Sequence, residues 1–417
     1  MKPILFTLAA GLLLATPKLG AESLLKPNDI VAICGDSITE QKLYSVFLED
    51  YFLMCQPVTG VQTIQFGISG TGAKNLGDRT ENNLSLFHPS VATVLYGMND
   101  GEYKPLNDER AKAFRDNLTY SIQATKNIGV RSIIVGSPTC VDWTSTPDRT
   151  KMYNETLASL TNIAREVAAQ QGVVFTDIHS TMRDVIAKAR AVDPSFTIGG
   201  DGTHPGQIGH LMIAYGFLKG IGCDGAIGTI TVDLSTNSAT GSPGQKALSV
   251  KDGVIEIEST RYPYCFTAGA FNDDAPGLKF LPFNEELNRY LLVVHGLKTP
   301  MAKVTWGAQS REFATADLEK GVNLATSFIP NNPFSEAFAR VDDTVCKQQA
   351  QASELGRFFL PFVPCFKTTI PSETETIDQI VKGGIDQQQA LSQAAAALVV
   401  PVRHTIRIEP LATATSR

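Results

Sequence analysis

Runs of lysine and arginine are missing from this chain, and 36 Lys+Arg against 42 Asp+Glu leave it at a net charge of -6. That balance suits no polyanion, so neither nucleic acid nor an anionic membrane surface is expected as a partner. Also missing is an apolar stretch of the roughly 20 residues that a membrane-spanning helix needs. The seven cysteines (Cys34, Cys55, Cys140, Cys223, Cys265, Cys346 and Cys365) include no C-x-x-C pair. That removes the usual thiolate frame for zinc, and no metal or other cofactor is expected. An odd cysteine total leaves at least one thiol unpaired within the chain. Cys34, at the end of an apolar run, is the expected free one, and an exported protein permits disulfides among the rest.

The opening MKPILFTLAAGLLLATPKLGAES has Lys2 as a positive start, an apolar core from Ile4 to Ala15 and the small-residue site Leu19-Gly20-Ala21. This is the pattern of a secretory signal. Residues 1–21 are therefore expected to be removed, and the mature protein to be secreted or periplasmic. What remains of the 417 residues exceeds the roughly 100–200 of one ordinary domain, so two domains are expected, over 22–224 and 225–417.

From Asp29 to about Gly220, short apolar runs alternate with helical stretches. The runs are DIVAIC (29–34), VQTIQFG (61–67), VATVLYG (91–97), RSIIVGS (131–137) and VVFTDI (173–178). Nearly continuous apolar or β-branched residues mark strands buried on both faces, as in a parallel sheet. Amphipathic segments lie between and after them: Glu40–Met54, Asp108–Asn127, Arg149–Gln171, Thr181–Ala191 and a last helix after Pro205. The pattern predicts a doubly wound α/β domain. Beyond Cys223 the rhythm changes to short strands, then a helix over Phe334–Arg357, a Gln/Ala-rich helix and a final strand HTIRIEP. That part reads as a smaller α+β accessory region.

In open parallel sheets, ligands bind outside the carboxyl ends of the strands. Three of those ends carry polar groups: Gly35-Asp36-Ser37, Gly67-Ile68-Ser69-Gly70 and Gly97-Met98-Asn99-Asp100, and past the last strand comes Asp201-Gly202-Thr203-His204-Pro205. A serine hydroxyl becomes a nucleophile when an imidazole takes its proton and a carboxylate fixes the imidazole tautomer. Ser37, His204 and Asp201 supply these three groups. The amide N–H groups of Ser37 and Gly70 and the side-chain amide of Asn99 are donors suited to a developing oxyanion.

On those four blocks, over roughly the first half of the mature chain, the sequence resembles an SGNH hydrolase of the GDSL esterase superfamily. The resemblance implies a flavodoxin-like three-layer domain with a central parallel sheet and an acyl-enzyme mechanism. It makes Ser37 the nucleophile, His204 the base, Asp201 its partner, and Ser37, Gly70 and Asn99 the oxyanion hole. Many members place an asparagine shortly before the second-block glycine, where this chain has Gln65. Such a fold hosts deacetylases, lysophospholipases, thioesterases and arylesterases and does not name the substrate. The expectation is an exported esterase removing short acyl groups, acetyl above all, from a carbohydrate or other small glycan ester. The alternatives are a lipid-directed esterase and a non-catalytic binding protein on the same scaffold.

Rival readings are specific. Ser37 followed by Glu40 is also a capping box, and Asp36 reads as a turn or cap residue. His179, in Asp177-Ile178-His179 at the fifth strand, competes with His204, whose loop carries the better match. His210 reads as a packed helix residue, and His88, His295 and His404 as structural. Gly67 to Gly72 matches neither G-x-S-x-G nor G-x-G-x-x-G. Tyr96, Tyr103, Asp142 and Trp143 are equally readable as pocket lining or as loop residues.

Overall fold

The computed structural model describes residues 23–56, 58–266 and 276–411. The expected signal segment lies outside them.

Strands β1 (Ile30–Gly35), β2 (Gln62–Gly67), β3 (Val91–Leu95), β4 (Ser132–Gly136) and β5 (Val174–Thr176) form a five-stranded sheet in the order β2-β1-β3-β4-β5, with every pair parallel. The pattern predicted a doubly wound parallel domain, and this order is the flavodoxin-like one that the family resemblance implies. Because successive side chains point to opposite faces, β1 divides between two apolar clusters. Val31 and Ile33 face one, and Ala32 and Cys34 the other. Each fully buried aliphatic side chain there is worth roughly 1.5–3 kcal/mol against exposure, which is why the strand runs carry almost no polar residues.

Helices cover both faces: α1 (Ser37–Glu40), α2 (Leu43–Asp50), α3 (Lys74–Thr80), α4 (Asp108–Asn127), α5 (Pro147–Gln171), α6 (Ile178–Val192) and α7 (Gln207–Ile221). Their ends follow local chemistry. Asn107 accepts from the Arg110 amide at 2.9 Å to start α4, with Asp108 and Glu109 in the positive first turn. Pro147 opens α5, and Gly172 closes it at φ 62°, a left-handed position that suits glycine. The sequence pattern missed α3 and merged α1, α2 and the π-helical turn Tyr51–Cys55 into one helix. The actual break is Lys42, at φ 61°.

The second region contains two more sheets. Strands β6 (Ala226–Asp233), β7 (Ser238–Gly241), β8 (Gln245–Lys251), β9 (Val254–Ser259), β10 (Arg289–His295), β11 (Met301–Trp306), β12 (Gln309–Ala314), β13 (Val322–Asn323) and β14 (Val402–Leu411) are arranged as β13-β10-β6-β7 and β12-β11-β14-β9-β8. A helical hairpin of Ser335–Glu354 and Thr374–Ala397 lies against α2 and the edge strand β2. The first apolar cluster runs from Val31 and Ile33 through α7 into Ile227, Tyr262 and Trp306, so the two regions share a core. Polar ties reinforce it: the Tyr51 hydroxyl donates to the Leu287 carbonyl at 2.6 Å, and the Ser45 hydroxyl to Gln349 Oε1 at 2.6 Å.

All seven cysteines are free, five of them buried, so the disulfides an exported chain permits do not form. Burial pushes the Cys34 thiol up to about 12, against a smaller pull from Arg79.

Candidate active site

Strand order reverses between β1 and β3, and the turns after β1, β2 and β3 meet at that carboxyl edge. Ser37 stands there because β1 ends at Gly35 and α1 begins two residues later. A side chain at Gly35 would collide with Thr39 Oγ1 at 2.0 Å, so only glycine allows the abrupt strand-to-helix turn. The cap of α1 is Asp36, whose Oδ1 accepts from the Ile38 amide at 3.0 Å. The capping-box reading of Ser37 and Glu40 is thereby corrected: Ser37 leaves the cap to its neighbour, and its hydroxyl is available for other work.

His204 reaches that hydroxyl from the far end of the domain, with Nε2 2.7 Å from Ser37 Oγ and Nδ1 2.9 Å from Asp201 Oδ2. A carboxylate only accepts, so the Nδ1–Asp201 bond places the ring proton on Nδ1 and leaves the Nε2 lone pair facing the serine. Asp201 is itself held by the amides of Thr203 (2.8 Å) and His204 (2.7 Å). Burial pushes its carboxyl up, but the bonds from the His204 ring and these two amides prevail and hold it at about 2. It is ionised throughout the neutral range and can stabilise an imidazolium.

The loop carrying this pair is anchored from behind. Asp142 pairs with Arg190 at 2.6 Å, takes the Ile198 amide at 3.2 Å, and donates its own amide to the Gly202 carbonyl at 2.7 Å. Trp143 Nε1 donates to Thr203 Oγ1 at 2.8 Å, and its indole stacks on Tyr153. Asp142 and Trp143 thus support the loop, whereas Tyr96 is buried in the core.

Of the residues expected to supply oxyanion donors, Gly70 lies on the turn after β2 and Asn99 on the turn after β3. Asn99 Nδ2 donates to the Thr71 carbonyl at 2.9 Å while its Oδ1 accepts from the Tyr103 hydroxyl at 3.2 Å. Those two bonds fix the amide plane and leave one N–H of Nδ2 uncommitted. Tyr103 and its neighbour Glu102 both sit at positive φ (58° and 54°), a conformation that costs a non-glycine residue energy and clusters at functional sites. Gly70 has φ 72° and open space around its Cα, whereas a side chain at Gly67 would strike the Glu40 amide at 2.4 Å. Gly67 therefore serves packing against α1, and Gly70 is the glycine exposed on the loop. Gln65, at the departure from the family pattern, donates to the Thr39 carbonyl at 2.6 Å and braces α1.

Two carboxyls near the serine have raised pKa values: Asp36, buried immediately before it, and Asp100, part-buried on the turn after β3. Burial pushes Asp36 up to about 7, with the Ile38 amide opposing and the Asp100 charge adding to the rise. Burial likewise raises Asp100 to about 6, against bonds from the Ala73 and Gly97 amides. A polar cavity of about 380 Å³ adjoins Asp201, lined by Trp143, Thr146, Arg149, Thr197 and Gly200 among others.

The rival histidines fall away on geometry. His179 is not on β5, which ends at Thr176; Asp177 caps α6, and the buried His179 ring faces the Thr139 carbonyl at 3.2 Å. His210 is buried between the Tyr44 amide (3.2 Å) and Gln41 (2.8 Å), and burial pushes it down to about 3. His404 imitates a second serine–histidine pair, with Nε2 3.0 Å from Ser259 Oγ. Its Nδ1 accepts from Trp306 Nε1 at 3.1 Å, however, and an indole N–H only donates. The proton of His404 is therefore on Nε2, which cannot take another from Ser259.

Two residues next to the Gly70 loop were not singled out for the site by the sequence. Glu40, the last residue of α1, accepts the Ser69 amide on Oε2 at 2.5 Å and pairs through Oε1 with Arg357 at 2.7 Å. Arg357 belongs to the second region, and nothing in the spacing joins it to the motif blocks.

Comparison with known proteins speaks to the family and the fold. Residues 33–212 match the model of the GDSL-like Lipase/Acylhydrolase family. An acetylxylan esterase from Geobacillus stearothermophilus is 22% identical over 220 residues, covering 49% of this chain and 96% of that protein. Among solved structures, a gut microbial diltiazem-metabolizing enzyme superposes with a TM-score of 0.71 at 22% identity, over 93% of this chain and 98% of its own. That likeness spans both regions, so their pairing is itself a shared architecture.

Proposed function

The first domain of this chain belongs to the GDSL-like lipase/acylhydrolase family, which makes the chain a serine ester hydrolase; from that premise we propose that Ser37 is its nucleophile and that it removes short acyl groups, acetyl above all, from a carbohydrate. In this reading Ser37 Oγ attacks the ester carbonyl as its proton passes to His204 Nε2. The carbonyl oxygen becomes an oxyanion facing the Ser37 and Gly70 amides and the free N–H of Asn99. Collapse expels the alcohol, which takes the proton from His204, and leaves the acyl group on Ser37. Water, deprotonated by the same imidazole, then releases the acid and restores the serine.

The observation that carries the proposal is the continuous chain from Asp201 Oδ2 to His204 at 2.9 Å and from His204 to Ser37 Oγ at 2.7 Å. The acetyl–carbohydrate assignment draws support from the acetylxylan esterase relative. The polar lining of the cavity beside Asp201 and the polar loop Gly101–Asn107 add to it. Export as a secreted or periplasmic protein is part of the same proposal and rests on the N-terminal apolar segment. Sequencing the N-terminus of the protein recovered outside the cytoplasm tests it, with residue 22 expected first.

A lipid-directed reading has one observation in its favour. Phe358, Phe362, Phe366 and Ile370 form an exposed stripe at four-residue spacing that begins beside Arg357. Hydrolysis of p-nitrophenyl esters from acetyl to long acyl chains, beside an acetylated xylooligosaccharide, separates the two. A short-chain preference with acetate released from the sugar supports deacetylation. A preference rising with chain length transfers the assignment to lipids.

A further inference from the structure

The loop bearing Gly70 is held almost without packing. Ser69 and Gly70 are exposed, and no atom lies within 4 Å of where a Gly70 side chain would start. Its position is set by hydrogen bonds on either side. After Gly70, the Thr71 carbonyl accepts from Asn99 at 2.9 Å; before it, the Ser69 amide donates to Glu40 Oε2 at 2.5 Å. The carboxylate that takes this amide is fixed by its other oxygen, which meets Arg357 Nη1 at 2.7 Å, with the two side chains only 26% and 14% exposed.

Arg357 is aimed by an irregularity in the second region. The long helix Ser335–Glu354 runs into the π-helical turn Leu355–Phe359, and such turns recur at functional sites. Gly356 in that turn lies against the Phe66 ring and the Gln65 carbonyl at the end of β2, so the turn is seated on the strand that feeds the Gly70 loop. The Arg357 guanidinium also packs on the Phe358 ring, 4.5 Å from its centroid. One carboxylate thus joins the second region, the last residue of the nucleophile's helix and the residue before Gly70.

We infer that Arg357 is a positioning residue of the hydrolytic site, through which the second region holds the Gly70 loop in register with Ser37 by way of Glu40. The inference rests on the assignment of Ser37 and Gly70 made above. Losing one oxyanion donor outright costs about 10²–10³ in kcat. A donor left in place but loosely held should cost less, and about tenfold is expected.

The test uses the full chain and p-nitrophenyl acetate, with Arg357→Gln, Arg357→Lys, Glu40→Gln and the Arg357→Gln/Glu40→Gln double variant. The expected result is a drop of about tenfold in kcat for either Gln variant, with KM and the thermal midpoint close to the parent. Arg357→Lys should recover most of the loss, and the double variant should be no slower than the singles. Unchanged kcat in Arg357→Gln overturns the inference. So does a loss that multiplies in the double variant, or one that follows a lowered thermal midpoint without rescue by lysine. Ser37→Ala is assayed in parallel. If it keeps full turnover, the site assignment fails and takes this inference with it; if it is dead while Arg357→Gln is unimpaired, only the inference falls.

Discussion

Glu49, on α2, is buried where the two regions meet. Its Oε2 accepts from Thr63 Oγ1 at 2.6 Å and from Gln349 Nε2 at 2.7 Å, the latter reaching across from the helical hairpin. Burial raises its carboxyl from 4.5 to about 7, and the two hydrogen bonds oppose the rise without cancelling it. At roughly 1.4 kcal/mol per pH unit, that displacement corresponds to about 3 kcal/mol. The folded state holds its proton over a range where the unfolded chain has released it. Stability from this group is therefore complete below about pH 4.5 and is lost as pH rises to about 7. Glu49→Gln keeps the shape and an accepting oxygen but cannot ionise. Urea unfolding of both proteins at pH 5 and pH 8 should show the variant gaining up to about 3 kcal/mol relative to the parent at pH 8 and little at pH 5. Asp50 leaves a residual slope in both, because it too is buried, its carboxyl raised by burial first and then by Asp342. Parallel pH profiles for parent and variant would refute the reasoning.

Asn99→Ala removes the side-chain donor and should lower kcat by about 10²–10³ with little change in KM. Gly70→Ala meets no clash, but a left-handed alanine costs about 1–2 kcal/mol, so the loop should relax and kcat fall while the protein stays folded; a stopped-flow ester assay beside circular dichroism reads both. His204→Ala should abolish turnover at unchanged stability, whereas His404→Ala, in a buried network with Trp306, Tyr290 and Ser259, should lower the melting temperature and spare kcat in whatever stays folded. Thiol titration should find Cys365 reactive in the native protein, Cys346 slower because burial and the neighbouring Asp342 push its thiol up to about 12, and all seven after denaturation.

The α/β domain was legible because its strands are buried on both faces and its helices carry their own start and stop signals. The Asp108–Asn127 segment matches α4 at both ends, with Asn107 capping its start. Part of the candidate site was legible for a related reason: strand ends deliver short polar blocks to one edge, and the Ser37, His204 and Asp201 side chains picked from those blocks lie within hydrogen-bond distance of one another. What the pattern missed was set by tertiary contact. Lys42 breaks the first helical stretch in a left-handed conformation that no local signal demanded. The cap of α1 was not missed: Asp36 was read as a turn or cap residue and is the cap, and only the rival capping-box reading of Ser37 falls. His179 was misplaced because β5 stops at Thr176 and Asp177 starts a helix. The Glu40–Arg357 pair joins residues on different regions, and neither periodicity nor motif spacing reports a contact of that kind.

The most direct test of the central claim is to trap the acyl-enzyme. Protein quenched in acid during turnover of p-nitrophenyl acetate, then digested and mapped by mass spectrometry, should carry one acetyl group on Ser37. His204→Ala and Ser37→Ala should carry none there. Acetyl on another residue, or undiminished turnover by Ser37→Ala, would contradict the account.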